Sequence, residues 1–358
     1  MSPRLIERTL RWLFWFAGVA AFVVVLARSD VRGAIPVIVA AGPLLVLGLV
    51  PFLLQIALDA LAWRTLLGGL GDRVGWRRLI EIRLSTEAVL LSMPGGSLIG
   101  ESLKPYLLHR LAALPLAHTI ASVGIKRCLL AVAEAAYLGI ALIAARDVYA
   151  ACSEAVVGTE SLAWYVAAAA ALLAAIATGL GLALLSVSVA DRLRRALARL
   201  PSKRLRAALE ARRAGFAATD SAFVALGRRC ARLAIAGLTL LAAWLVETGE
   251  TYLLCRLVGI ELDVGHALAM EAAVVFARNA AFFVPAGLGI QDAGYLAFLS
   301  GFGVAAPLAA AFVVVKRTKE LIWIAIGYAV LLVLERRPPE RASTVSVAAP
   351  LGAGLGGM

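Results

Sequence analysis

MPGGSLIGES, residues 93–102, and VPAGLGIQDA, residues 284–293, are built alike. Laid over each other they set Pro94 on Pro285, Gly96 on Gly287, Ile99 on Ile290 and Glu101 on Asp292, a constant offset of 191 (285 − 94). Each stretch interrupts an apolar run with proline and glycine, and each puts an acid just past the interruption. Proline lacks the backbone donor and crowds the preceding turn, so a helix ends or bends there.

The chain around these breaks is oily. Of 358 residues, 62% are hydrophobic and only 16% charged, and the mean hydropathy is +0.89, well above what a soluble domain needs. That composition describes a polytopic membrane protein. In lipid every backbone polar group must find its partner within the segment, so the expected fold class is all-α. The net charge of +12 reads as the positive-inside bias plus attraction to anionic lipid, and no nucleic-acid partner is expected. Cys128, Cys152, Cys230 and Cys255 are scattered without a CxxC, and His109, His118 and His266 stand alone. This pattern predicts no disulfide, no metal and no Ser/His/Asp triad. No GxxxxGK[ST] phosphate loop is present, so ATP hydrolysis by that route is excluded, and no cofactor is expected.

Along the chain, Arg4, Arg8 and Arg11 precede an apolar run over 12–27 that lacks a small-x-small cleavage site and reads as a retained first span. A second span, 34–62, runs into Arg64, Arg73, Arg77, Arg78 and Arg83, which mark the cytoplasmic side. The next apolar run, 84–93, is about half the roughly 20 residues a span requires, and a second short arm covers 101–116. Two short arms around a Pro-Gly break predict a re-entrant hairpin. A full span follows over 117–145, and then a loop with Asp147, Glu154 and Glu160 against a lone Arg146, which suits the outside. The second half repeats the plan: a span over 162–189, a basic cytoplasmic segment 191–232, a span over 233–258, hairpin arms 266–284 and 290–304, and a last span 307–334. In the basic segment Leu193, Leu197, Leu200, Leu205 and Leu209 recur at helical spacing, which fits a helix lying on anionic headgroups or a solvated linker helix.

This reading gives about six full spans and two re-entrant helical hairpins, with both termini inside. The halves, 1–161 and 162–337, have opposite orientation, an inverted-topology repeat, and residues 338–358 form a disordered tail. A second echo supports it, since Lys126 and Arg127 fall on Lys316 and Arg317 at an offset of 190 (316 − 126).

Many charges lie within or beside apolar segments, among them Asp59, Glu87, Glu101, Glu134, Glu247, Glu250, Glu271, Arg278, Lys319 and Glu320. A charge at the bilayer centre costs about 2.5–3.5 kcal/mol or more, so each requires a partner or a water-filled cavity. Internal pairing is one account, with Glu134 about two turns from Lys126 and Arg127 and Glu320 one turn from Lys316 and Arg317. A polar cavity between the repeats is the other. There the arms that begin after the breaks, at Gly96, Gly100, Gly287 and Gly289, would turn free N–H groups toward an anion. Lys104, Lys126, Arg127, Arg278, Lys316 and Arg317 would add full charges. Glu101 and Asp292 would receive an amine, pair with the cations or carry a proton. Close helix packing is the alternative role of the glycines.

At these residues the chain resembles the transmembrane, flippase-like domain of lysylphosphatidylglycerol synthases and its stand-alone relatives, some associated with hopanoid biosynthesis. One motif, a proline followed by Gly-Glu and a basic residue, is matched by Pro94, Gly100, Glu101 and Lys104. The other, Pro-x-Gly-x-Gly-hydrophobic-x-acid, is matched by Pro285, Gly287, Gly289, Ile290 and Asp292. Gln291-Asp292 stands where Arg-Glu is expected, and no aminoacyl-transfer domain is expected in the short tail. The resemblance implies translocation of a polar lipid, with an anionic or amine headgroup, in the bacterial inner membrane, and not lysyl transfer. The competing expectations are a lipid-modifying membrane enzyme with Glu101 or Asp292 as base, and a scaffold that docks lipid-synthesis proteins on segment 191–232.

Overall fold

The computed structural model describes residues 29–338 except 94–95, 187, 201, 281–283 and 285–286, together with a few positions between 16 and 27. The expected first span, 12–27, falls largely outside the described residues, as do Pro94, Pro285 and the tail from residue 339. Among the described residues the protein is helical throughout, with no strand.

The second span is longer than expected and is not one regular helix. Asp30 caps α1 (Val31–Ala41) by accepting from Gly33 N at 2.9 Å. Pro36 sits inside α1, Pro43 opens a 3₁₀ segment (Gly42–Leu49), and Pro51 lies at the start of α2 (Val50–Leu67). Three prolines at such spacing withdraw backbone donors from a continuous α ladder, and the tighter 3₁₀ turns bridge the gap.

After the short α3 (Gly69–Arg73) come α4 (Trp76–Ser92) and α5 (Gly96–Ala112), packed against each other as the first hairpin. The first arm, expected over 84–93, starts earlier because α4 runs through the charged turn from Arg77 to Glu81; the second, expected over 101–116, starts earlier at Gly96 and ends earlier at Ala112. Each has 17 residues, about 26 Å at 1.5 Å per residue, short of the roughly 30 Å hydrocarbon layer. Then follow α6 (Leu116–Ala144), α7 (Arg146–Val157), which was expected to be a loop, and α8 (Leu162–Ser186). The basic segment folds as α9 (Val189–Leu197), α10 (Lys203–Ala211) and α11 (Arg213–Gly227). The chain continues with α12 (Cys230–Leu257), the second hairpin pair α13 (Val264–Ala280) and α14 (Ile290–Gly301), and α15 (Ala306–Arg336).

Among the described residues four segments are long and apolar enough to cross a membrane: Val31–Leu67, Leu116–Ala144, Leu162–Leu184 and Cys230–Leu257. Helix α15 has the length, 31 residues, but carries Lys316, Arg317, Lys319 and Glu320 in its middle.

The packing places the site. Helices α2 and α12 make the most extensive pairing in the molecule. Helix α15, at the end of the second half, packs along α4 of the first hairpin, and α6, at the end of the first half, packs on α13 of the second. At one pole Arg110 donates to Glu335 O (2.8 Å) and Arg337 pairs with Glu81 (2.7 Å). A small core of Trp63, Leu79, Ile82, Leu108 and Leu334 lies near it. At the other pole Tyr149 donates to Ala269 O (3.1 Å), and Gly301 abuts Cys152 and Ala155.

Candidate functional site

Between α2, α4, α5, α6, α12, α13 and α15 lies a cavity of about 230 Å³. Its wall carries the acids Asp59, Glu87, Glu101, Glu134, Glu247 and Glu320 and the bases Arg83, Lys104, Lys126, Arg127, Arg278, Lys316 and Lys319. Pairing and a charged cavity therefore coexist: most of these charges are paired, and at least one member of most pairs lines a common space.

On the side of the first half, Lys126 of α6 donates to Asp59 Oδ1 of α2 at 2.5 Å, and Arg83 of α4 reaches the same oxygen at 2.8 Å. Arg83 also pairs with Glu87 one turn along α4. Arg83 was expected to mark the cytoplasmic edge; its side chain is instead drawn into the cavity wall by these two carboxylates. Lys104 pairs with Glu101 at 2.6 Å, one turn apart on α5. Lys126 also lies over the Trp63 ring, 5.3 Å from its centroid, and Trp63 Nε1 donates to Ser122 Oγ at 3.0 Å.

On the side of the second half, Lys316 donates to Glu271 at 2.9 Å and to Thr251 Oγ1 at 2.7 Å. Glu271, fully buried, also accepts from Thr251 and from the Tyr295 hydroxyl. Lys319 pairs with Glu250, and Arg278 with Glu247 at 3.2 Å. Arg317 grips Asp292 with two parallel bonds (2.6 and 2.7 Å) and reaches Glu320 at 2.5 Å. Lys316 Nζ is 4.0 Å from Glu250, and Glu250 stands 191 residues after Asp59, the partner of Lys126. Acid and lysine thus recur together at offsets of 191 and 190, within one residue of the offset of the two breaks.

Among the described residues that line the cavity, three leave donor groups without a partner. Arg127 is exposed, lines the cavity, and makes no hydrogen bond or ion pair. Gln55 Nε2 and Trp244 Nε1 are buried in the cavity wall without a partner. The Trp244 ring is stacked on Tyr137 at 5.8 Å, which fixes where its N–H points. A buried N–H without an acceptor is costly, so a ligand acceptor that reaches Gln55 or Trp244 gains a bond that the protein itself leaves unmade. Opposite in sign, Glu134 has an amide partner, Asn279 Nδ2 at 2.7 Å, and no cation at contact distance.

Of the residues singled out from sequence, Glu101, Lys104, Lys126, Arg127, Arg278, Gly287 and Lys316 line the cavity. Gly96, Gly100, Gly289, Asp292 and Arg317 do not. Asp292 is 1% exposed, and its carboxylate accepts from Gly289 N at 2.9 Å as the cap of α14, so the N–H expected to face an anion is already taken. At Gly96 a Cβ would lie 2.5 Å from the carbonyls of Val89 and Leu90, and at Gly100 3.0 Å from that of Thr86, so these glycines let α5 press on α4. Gly287 has φ +59°, and its missing Cβ leaves room for the Arg278 side chain. Pro94 and Pro285 lie outside the described residues. Sequence reading missed Arg83, Gln55, Asn279 and Trp244 as cavity residues. Arg83 sits one turn before Glu87 on the face that bears it, which was a usable signal; the neutral three carry none.

Comparison with curated proteins and with solved structures finds no match to this chain. A family model for the lysylphosphatidylglycerol synthase TM region matches residues 10–334. By that match, and with four helical segments able to cross a bilayer, this membrane protein belongs to the lysylphosphatidylglycerol synthase TM region family.

Proposed function

We propose that the protein is a lipid flippase that carries a lipid with an anionic headgroup between the leaflets of the bacterial inner membrane, without ATP hydrolysis and without chemically changing the lipid. The observation that carries this reading is the unpaired Arg127, with the unused donors of Gln55 and Trp244 elsewhere in the same wall, in a cavity whose other cations are engaged by acids. A phosphate diester has the charge and the several acceptor oxygens to satisfy all three.

In this reading the halves, 1–161 and 162–337, form an inverted repeat with six spans, both termini and segment 191–232 cytoplasmic. The recurrence of Asp59 with Lys126 and Glu250 with Lys316, and the reciprocal packing of α15 on α4 and α6 on α13, support it. Access alternates as one half rocks against the other. An ion gradient or metabolic demand sets the direction of net transport.

Purified protein in liposomes carrying a fluorescent phosphatidylglycerol tests the proposal. Wild type is expected to equilibrate the probe between leaflets, and Arg127→Ala to slow this about tenfold, the loss of roughly one charge-assisted interaction of 1.4 kcal/mol. Rates equal to those of empty liposomes would falsify it. Deletion of the gene separates transport from catalysis: a flippase leaves every lipid species made, whereas a lipid-modifying enzyme leaves one missing.

A further inference from the structure

A second cavity, about 170 Å³, lies between the 3₁₀ segment, α12 and α15. Ile38, Leu45, Val46, Leu254, Val315 and Ile322 supply an apolar wall, and the polar positions are Thr318 and Lys319. Thr318 spends its hydroxyl on its own helix, at Val314 O (2.8 Å). The crevice therefore offers a ligand almost nothing but hydrocarbon, and apolar cavities do not hold water.

Two features fix what enters it. First, the crevice opens outward: Val46 is 62% and Ile322 39% exposed at its edge, and Leu44, Leu47, Val50 and Leu53 continue an exposed apolar belt beside it. In a membrane protein such a belt faces acyl chains. Second, Lys319 lines both cavities. Its Nζ pairs with Glu250 and lies over the Phe52 ring, itself part of the polar cavity wall, while the same side chain borders the crevice. One side chain thus separates an anion-seeking space from a hydrocarbon-seeking one. The 3₁₀ segment is held close to α12 at Gly48, where a Cβ would meet Leu254 at 2.6 Å, so the three prolines and this glycine together shape the crevice.

We infer that the crevice is the acyl-chain subsite of the same ligand: the headgroup enters the polar cavity toward Arg127, one chain lies between the 3₁₀ segment and α15, and Lys319 stands at the boundary. This rests on the headgroup reading above and deepens it, because it makes the substrate an acyl lipid and a water-soluble phosphate diester a poor ligand.

The test uses the full chain in phosphatidylcholine nanodiscs, a phosphatidylglycerol probe with a diazirine in one acyl chain, and soluble glycerophosphoglycerol as the headgroup alone. Photolabel is expected on peptides covering 38–49 or 314–322. Filling the crevice from an exposed position, by Thr318→Trp, or capping its mouth, by Val46→Trp, should lower that labelling about tenfold while glycerophosphoglycerol still binds the variant. The second variant serves if the first does not fold. Label spread over the exposed belt, or unchanged in a folded crevice variant while Arg127→Ala still weakens headgroup binding, overturns the subsite and leaves the headgroup reading standing. Crevice labelling that neither Arg127→Ala nor free headgroup diminishes overturns the headgroup reading, and the two-part site with it.

Discussion

Lys316 and Arg127 are both cations inside an apolar protein, and the geometry gives them opposite jobs. Lys316 holds the fully buried Glu271 carboxylate at 2.9 Å, with Thr251 and Tyr295 completing the shell. Lys316→Ala strands that charge, and removing one member of a buried pair costs about 3–5 kcal/mol. A large fall in the thermal unfolding midpoint in detergent is therefore expected, together with loss of folded yield. Arg127 has no partner to strand, so Arg127→Ala should change stability by no more than about 0.5 kcal/mol while slowing transport. An Arg127→Ala protein that unfolds as readily as Lys316→Ala would mean that Arg127 is structural too. The misplaced charges were legible in the sequence, because their cost in lipid singles them out. Their partners were not: Glu320 with Arg317 is a one-turn neighbour and readable, but Lys316 finds Glu271 and Asn279 finds Glu134 across 45 and 145 positions.

Helix packing explains why the first Pro-Gly break keeps its glycines. Gly96 and Gly100 allow α5 to lie against the backbone of α4, and Gly327 of α15 does the same from the other side, where a Cβ would sit 2.6 Å from that of Ala88. Helix α4 is thus clamped between its hairpin partner and the last helix of the other half. Gly100→Leu should force these elements apart and cost about 1–3 kcal/mol, the usual penalty of overpacking. Gly139→Leu on α6, which meets nothing within 4 Å, should be near neutral. Thermal unfolding of the two variants side by side checks this, and equal midpoints would refute the clamp. The two breaks were readable from proline, glycine and run length. The start of the first arm was not, because apolar counting stops at the first charged turn while α4 does not. Helix α7 was missed for a related reason: Arg146, Asp147 and Glu154 read as loop, and yet Tyr149 and Cys152 are buried against the second half.

That buried face of α7 bears on how the molecule would move. Helix α7 belongs to the first half, and it abuts α14 of the second hairpin at Gly301, whose ideal Cβ lies 3.5 Å from Cys152 Cβ. A disulfide requires Cβ atoms about 3.5–4.5 Å apart, so Gly301→Cys should cross-link to the native Cys152 on oxidation with only a small shift at Ala155, whose Cβ lies 3.2 Å from the same point. If lipid passes because one half rocks against the other, this bond ties the two at one pole and holds the access pathway in the state described. Oxidised Gly301→Cys is then expected to fall to the rate of empty liposomes, and reduction to restore it. Cys152→Ser in the same background should abolish both the cross-link and the redox response, which rules out an effect of Cys230, the exposed cysteine. The outcome separates two pictures with the same cavity. In one, the halves move as bodies and every interface between them must slide. In the other, the hairpin tips alone rearrange, and a tether at α7 leaves transport intact. A cross-linked protein, verified by mass spectrometry, that still flips lipid at the wild-type rate would exclude rocking about this pole and confine the motion to the hairpins.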